Sequence, residues 1–131
     1  MSPSLVPPLV LAFVADHVRS LDELQVLLAV VQAPDRWWDA TSAGRELGIA
    51  ATAAQRALDA LAGRNLLDIR ITGDVRYQFR PGTDALRAAA LATEDTYRTN
   101  PLGVVQLVAQ TSRRGLRDFA DAFRIRRDDD R

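Results

Sequence analysis

The sequence predicts a mainly α-helical fold with one small β-hairpin, and three observations support this prediction. Apolar residues recur every three or four positions over most of the 131 residues, a spacing that places them on one face of a helix. Two short segments of alternating apolar residues, 67–71 and 75–79, surround Gly73-Asp74, as the strands of a tight hairpin do. Residues that cap helices precede several of the periodic segments.

The N-terminal part predicts two helices after an irregular start. Residues 1–8 are expected to be flexible, because their three prolines cannot donate helical hydrogen bonds. Pro8 also suits the first turn of a helix that runs to about Val18. Ser20-Leu21-Asp22-Glu23 has the pattern of a capping box, so a second helix is expected to begin there and to end at Ala33-Pro34-Asp35. Apolar residues cover much of its circumference, which predicts burial from several sides.

Residues 39–80 contain the most specific pattern of the chain. Asp39 is placed to cap a short helix through Leu47, and Gly48-Ile49 supplies a turn. A second helix is expected over residues 52–62, and the hairpin follows it. This order of helix, tight turn, helix and hairpin is that of a winged helix-turn-helix domain, which commonly lays its second helix in the DNA major groove.

Gly44 is expected at the close approach between these two helices. A glycine inside a helix costs about 1 kcal/mol relative to alanine, so we expect a close packing contact there that offsets this cost. Leu47, Ile49, Ala54, Leu58 and Leu61 are expected to close the helix pair against the core. Ala50 occupies the position where a Ser or Thr cap is common, which predicts that the second helix begins late, at Thr52.

The C-terminal part predicts further helices. A turn at Pro81 to Asp84 leads into a helix to about Arg98, Asn100-Pro101 breaks it, and a helix from Leu102 to Gln110 follows. After Ser112 to Gly115, a short final helix carries an apolar stripe of Leu116, Phe119, Ala120 and Phe123. This stripe either completes the core or pairs with a second subunit.

These patterns divide the chain into four parts. A flexible N-terminus (1–8) precedes the winged helix-turn-helix domain (9–80, with its core motif at 39–80). A C-terminal helical extension (81–125), available for dimerisation, and a disordered charged tail (126–131) complete the chain.

Composition and charge limit the kinds of site that the protein can contain. The chain has no cysteine, which excludes disulfides and thiolate metal sites. All 17 basic residues are arginine, and the net charge is zero. That charge is unevenly distributed, at −3 over residues 1–35, +2 over 36–80 and +1 over 81–131. The candidate DNA-reading segment is therefore mildly basic in a neutral chain, which is compatible with DNA binding.

Several classes of protein are not expected. A bilayer span needs about 20 apolar residues, and no apolar stretch of the chain is that long. We therefore expect no membrane association, no secretory signal and a cytoplasmic location. No hydrolase elbow, phosphate-binding glycine loop or zinc-protease motif occurs, which predicts no catalytic residues, metal or cofactor. The single histidine, His17, is expected to be structural.

Trp37-Trp38 allows two interpretations. The pair is either a contact for a ligand or partner, or a short strand that is anchored in the core beside the hairpin. The second interpretation is favoured.

The segment DATSAGRELGIAATAAQRALDALAGRNLL, residues 39–67, resembles bacterial winged helix-turn-helix regulators of the MarR, ArsR and PadR type. The resemblance covers roughly a third of the chain. It implies binding of double-stranded operator DNA by a homodimer, with the second helix in the major groove and the wing beside the DNA backbone. The whole chain also resembles small bacterial winged-helix proteins that end in an LRDFADAFRIRR-like segment, and these imply no particular activity.

The resemblance also implies a set of DNA-binding residues. On the second helix, Thr52, Ala53, Gln55 and Arg56 are expected to face bases and phosphates, and on the wing Arg70 and Arg76 are expected to reach phosphates. Gln and Arg can pair with adenine and guanine edges, and alanine can touch thymine methyl groups. Asp59, one turn further along, is expected to repel phosphate.

An alternative function is a winged-helix protein–protein interaction adaptor that does not bind DNA. The zero net charge, the alanine-rich second helix and the aromatic C-terminal stripe favour it. Its partner protein would bind through the C-terminal helix. A regulator that responds to a small molecule is a third hypothesis, although no polar cluster in the sequence defines a pocket.

Overall fold

A computed structural model describes residues 6–111 of the chain. Its elements are α1 (Pro8–His17), α2 (Leu21–Gln32), α3 (Ala40–Leu47), α4 (Ala51–Gly63), β1 (Leu67–Ile71), β2 (Val75–Phe79) and α5 (Asp84–Thr99). Residues 101–111 are also helical and are called α6 here. The predicted class, mainly α with a small β-hairpin, is confirmed. The predicted final helix and the charged tail lie outside the described residues.

The first helix begins at Pro8, the residue that the sequence places in its first turn. Val6 is buried, with 8% of its surface exposed, and Pro8 is the first residue of α1. The Pro7 carbonyl accepts hydrogen bonds from the Val10 and Leu11 backbone amides. Of the segment 1–8, predicted to be flexible, the structure describes residues 6–8, and Pro8 fits a first helical turn that needs no N–H from it.

The start of α2 confirms the predicted cap, with one change. The Ser20 hydroxyl accepts from the Glu23 amide at 3.1 Å. The Glu23 carboxylate accepts from the amide of Arg19, at 2.8 Å, rather than from Ser20 itself. Glu23 also pairs with Arg64 at 2.5 Å, and Arg64 donates to the His17 carbonyl at 2.7 Å. This group joins the end of α1, the start of α2 and the residue that follows α4.

Helix α2 is the centre of the core, since it packs against α3, α4, α5 and β2. Its buried side chains cover most of its circumference, which confirms the predicted wide apolar face: Leu24, Val26, Leu27, Leu28, Val30 and Val31. Helix α5 packs on both α1 and α2. The two C-terminal helices meet at the predicted break, where the Asn100 side chain caps α6 through the Gly103 amide at 3.1 Å. Within residues 6–111, no helix is long and apolar enough to cross a bilayer.

Helices α3 and α4 are joined by a tight turn. The Asp39 carboxylate accepts from the Ser42 amide at 2.7 Å, as predicted for a cap. Gly48 has a φ of 72°, in the left-handed region that favours glycine. Helix α4 begins at Ala51, one residue before the predicted Thr52, and Ala50 provides no side-chain cap. Ala54, Leu58 and Leu61 are buried as predicted, and Leu47 and Ile49 are partly buried.

Gly44 lies at the predicted close approach. A Cβ at this position would be 2.8 Å from the Ile49 carbonyl oxygen and 3.3 Å from the Ala51 Cα. Both atoms belong to the backbone, so the turn itself would have to move to make room. The sequence pattern therefore located a tertiary contact, because a glycine inside a helix has an energetic cost that only such packing offsets.

We expect Gly44→Ala to lower the free energy of unfolding by about 1–3 kcal/mol, because the added methyl group overpacks the turn. The matched control is Gly63→Ala, where an added Cβ meets nothing within 4 Å and the helix should be stabilised by about 0.4–1 kcal/mol. Urea unfolding followed by circular dichroism measures both. Equal stabilities of the two variants would contradict the described packing of α3 on α4.

The hairpin pairs β1 with β2 in antiparallel register, from Leu67 opposite Phe79 to Ile71 opposite Val75. Trp38 extends it on the other side of β2. The Trp38 amide donates to the Tyr77 carbonyl at 2.7 Å, and the Tyr77 amide donates to the Trp38 carbonyl at 2.8 Å. Trp38 is 4% exposed, so it lies in the core beside the hairpin as predicted, although it forms an isolated bridge and not a strand.

Only the base of the hairpin reaches the core. Leu67, Tyr77 and Phe79 are buried, but Ile69, Ile71 and Val75 are 45%, 74% and 39% exposed. All six apolar side chains share one face of the sheet. The predicted apolar face therefore continues beyond the helices that cover its base, and its outer part is exposed.

Candidate nucleic-acid interface

Helix α4 has a buried face and an exposed face. Ala54, Ala57, Leu58 and Leu61 are buried, and α4 packs on α2, α3 and β1. On the other side, Ala51, Thr52, Arg56 and Asp59 are exposed, and Ala53 and Gln55 are half-buried. Thr52 and Arg56 are four residues apart and therefore lie on the same face of the helix. The exposed surface of α4 consists mainly of short side chains, with one cation and one carboxylate.

Gln55 is occupied within the protein. Its amide nitrogen donates to the Asp59 carboxylate at 3.1 Å and to the Tyr77 hydroxyl at 2.6 Å. The Tyr77 hydroxyl in turn donates to Asp59. Both N–H groups of the Gln55 amide are thereby used. Gln55, predicted to read bases, helps to fix α4 against β2 in this structure.

The environment of Tyr77 raises the pKa of its hydroxyl to about 12. Burial is the main cause, since it disfavours the phenolate, and the hydrogen bond to Asp59 together with the charge of that carboxylate acts in the same direction. The hydrogen bond from Gln55 opposes them. Tyr77 therefore remains a protonated donor at neutral pH and keeps the bond to Asp59.

This pKa predicts an alkaline loss of stability. The hydroxyl of Tyr77 titrates near pH 10 in the unfolded chain and near 12 in the folded protein. The stability that the protonated hydroxyl contributes is fully present below pH 10 and is lost as the pH rises from 10 to 12. By pH 11 the free energy of unfolding should have fallen by about 1 kcal/mol. Urea unfolding at pH 9 and pH 11 measures the change. Tyr77→Phe should remove this part of the pH dependence, whereas Tyr97→Phe should keep it; the same slope in both variants would contradict the assignment.

The two hairpin arginines lie opposite each other in the register. Arg76 forms an ion pair with Asp74, at 3.0 Å. The Arg70 guanidinium lies over the ring of Trp37, 4.4 Å from its centroid. In the part of the chain that the structure describes, no ion pair within 4.0 Å involves Arg56 or Arg70. Arg76 is thus partly neutralised, and Arg70 and Arg56 are the freer of the predicted cations.

Acidic side chains lie close to Arg56. A surface cavity of about 190 Å³ between α2 and α4 is lined by Ser20, Asp22, Glu23, Ala53, Arg56 and Ala57. The N-terminal acids of α2 therefore reduce the positive potential on this side of α4. Across residues 6–111, no group of three or more His, Asp or Glu side chains is arranged to hold a metal ion.

Two features of this surface were not predicted from the sequence. Alternation in residues 75–79 places Tyr77 on the apolar face of the hairpin, and no pattern in the sequence indicates that its hydroxyl meets Asp59 of α4. The sequence predicts a capping role for Glu23 alone of the two α2 acids, and the position of Asp22 and Glu23 beside Arg56 follows from the packing of α2 on α4. Asp59 was expected to repel phosphate, and its bonds to Gln55 and Tyr77 give it a structural role as well.

Comparison of the chain with protein-family models, with curated proteins and with solved structures gave no match.

Proposed function

We propose that this protein is a winged-helix, DNA-binding transcriptional regulator that acts as a homodimer and reads the major groove with α4. The observation that carries the proposal is the exposed outer face of α4. It belongs to the second helix of a tightly turned pair, it has short side chains, and a hairpin is held beside it through Tyr77. Short side chains let the helix approach base edges closely, as a recognition helix does.

Each of the residues predicted to bind DNA has a role in this proposal. Arg56 pairs with a guanine edge, and Ala53 contacts a thymine methyl group. Thr52 donates its hydroxyl to a base or phosphate oxygen. Arg70 contacts phosphate, and Arg76 exchanges its partner Asp74 for phosphate, which is inexpensive because an exposed ion pair contributes at most about 1 kcal/mol. Gln55 has a supporting role, since it holds α4 and β2 together.

The homodimer requires an apolar surface outside the DNA-binding face. The helices that flank α2 to α4 carry exposed leucines that are suited to this role: Leu9, Leu91 and Leu102, at 49%, 45% and 65% exposure. We propose that these leucines take part in the dimer interface. Sedimentation of the protein over a hundredfold range of concentration would detect the association, and a monomer at every concentration would count against the dimer.

The test of DNA binding is selection of bound duplexes from a random pool, followed by measurement of affinity against salt. Arg70 and Arg76 provide two phosphate contacts per subunit, or four in a dimer. The logarithm of affinity should therefore fall against the logarithm of salt concentration with a slope of about −3 to −4. Failure to enrich any sequence at low salt, or an affinity that does not depend on salt, would overturn the proposal.

The second candidate is a protein–protein interaction adaptor. The exposed apolar end of the hairpin favours it, because Ile69, Ile71 and Val75 form an uncovered apolar strip and such surfaces mark protein contacts more often than DNA contacts. The pairing of Arg76 with Asp74 favours it too. The adaptor predicts no salt-dependent affinity for any duplex, so the same titration distinguishes the two functions.

A further inference from the structure

A groove runs between the N-terminal helix α1 and the last described helix, α6. Its volume is about 260 Å³, and it is lined by Leu11, Val14, Ala15, Leu107, Gln110 and Thr111. Leu11 is 42% exposed, and Leu107 is partly buried against the core. The groove therefore presents apolar side chains from two helices without a covering element from residues 6–111.

The position at which the described chain ends is informative. Thr111 is the last described residue and lines the groove itself, and 20 residues of sequence follow it. The next four, 112–115, are Ser-Arg-Arg-Gly, and four extended residues reach about 14 Å at most. Helices that are joined by two to five residues pack side by side in antiparallel orientation. A helix after this connection would lie against α6, where the groove is.

The following sequence has the side chains for such a helix. Leu116, Phe119, Ala120 and Phe123 recur at the spacing of one helical face. The charges are complementary as well. Residues 112–127 contain six arginines and two aspartates, a net charge of +4, whereas residues 6–35 have a net charge of −3. Asp16, an exposed residue of α1, directly follows the groove residue Ala15.

We propose that residues 116–123 form a helix that packs into this groove of the same chain, with Phe119 and Phe123 against Leu11 and Leu107. This inference goes beyond the proposed function and does not depend on DNA binding. It assigns the apolar stripe to the core of its own subunit, a choice that the sequence left open. A dimer contact or a partner protein would then have to use a different surface.

The absence of cysteine allows a direct test with an introduced pair. In dilute full-length protein, Leu11→Cys combined with Phe119→Cys should form a disulfide within one chain under mild oxidation. A non-reducing gel should show a monomer of altered mobility. The control pair, Ile71→Cys with Phe119→Cys, uses the exposed end of the hairpin and should keep free thiols. A disulfide-linked dimer from the first pair would assign the groove to a second copy, and free thiols in the first pair would leave the segment elsewhere; either result overturns the proposal.

A second measurement does not depend on disulfide geometry. Phe119→Ala combined with Phe123→Ala should lower the midpoint of thermal unfolding by at least about 5 °C, independently of protein concentration. Arg117→Ala, which lies off the apolar stripe, should leave the midpoint within about 2 °C of the wild type. An unchanged midpoint in the double variant, or a decrease that disappears on dilution of both proteins, contradicts docking within the chain.

Discussion

Replacing Trp38 with alanine is expected to lower the free energy of unfolding by about 3–5 kcal/mol. The indole is 4% exposed, and its removal leaves a large cavity at the point where the chain pairs with β2. The Arg36 guanidinium lies 3.7 Å from the centroid of the Trp38 ring and would lose that contact. A domain of this size has about 5–15 kcal/mol of stability in total, so this loss is a large fraction of it. The midpoint of thermal unfolding should therefore fall by about 10 °C or more.

The neighbouring tryptophan is the matched control. Trp37 is half-buried, and the Arg70 guanidinium lies over its ring. Trp37→Ala should therefore lower the free energy of unfolding by about 1 kcal/mol. Trp38→Phe is a second control. The Trp38 indole nitrogen has no hydrogen-bond partner within residues 6–111, so the phenyl ring loses volume but no hydrogen bond, and the cost should stay below about 1.5 kcal/mol. Similar losses for Trp37→Ala and Trp38→Ala would contradict the different burial of the two rings.

Replacing Arg56 with glutamate is expected to reduce affinity for a selected duplex by at least about 100-fold. A bidentate contact between arginine and guanine contributes about 1–3 kcal/mol of discrimination, and a dimer loses two such contacts. The new carboxylate would also join Asp22 and Glu23 at the adjoining cavity, which adds repulsion toward phosphate. Arg56 is exposed and belongs to none of the described ion pairs, so the fold should remain intact.

The control for this charge reversal is Arg87→Glu on α5. Arg87 is also exposed, and its guanidinium lies 5.6 Å from the centroid of the Phe79 ring. The two variants have the same net charge, so any difference in DNA affinity reports the position of the charge. Fluorescence anisotropy at constant salt measures affinity, and far-ultraviolet circular dichroism verifies folding. An equal loss of DNA affinity in both variants would indicate a general effect of net charge. It would contradict the proposal that α4 reads the bases.

Predictions based on neighbouring residues were confirmed most often. The Ser20 and Asp39 caps, the break at Asn100-Pro101 and the hairpin all depend on hydrogen bonds or steric limits within a few residues. Gly44 was located because its energetic cost inside a helix required a packing explanation. Such features can be predicted from sequence, since the interacting atoms are brought together by the local chain path.

The candidate site was predicted less completely. Thr52 and Arg56 lie on the exposed face of α4 as expected. The side-chain amide of Gln55 is not free, because it donates a hydrogen bond to the hydroxyl of Tyr77 on the hairpin. Alternation also predicts that Ile69, Ile71 and Val75 are buried, whereas the structure leaves them exposed. Alternation identifies the apolar face of a strand, but it does not show how much of that face another element covers.

The sequence by itself determined the helices, their caps, the hairpin and the order in which they occur. Only the tertiary structure decided that Gln55, Asp59 and Tyr77 form one hydrogen-bonded group, that Arg64 links α1 to α2, and that the α2 acids lie beside Arg56. The physical reason is distance along the chain. The residues in these contacts are 18 to 47 positions apart in the sequence. They meet only because whole helices and strands pack against one another, and the local backbone preferences of a segment do not specify that packing.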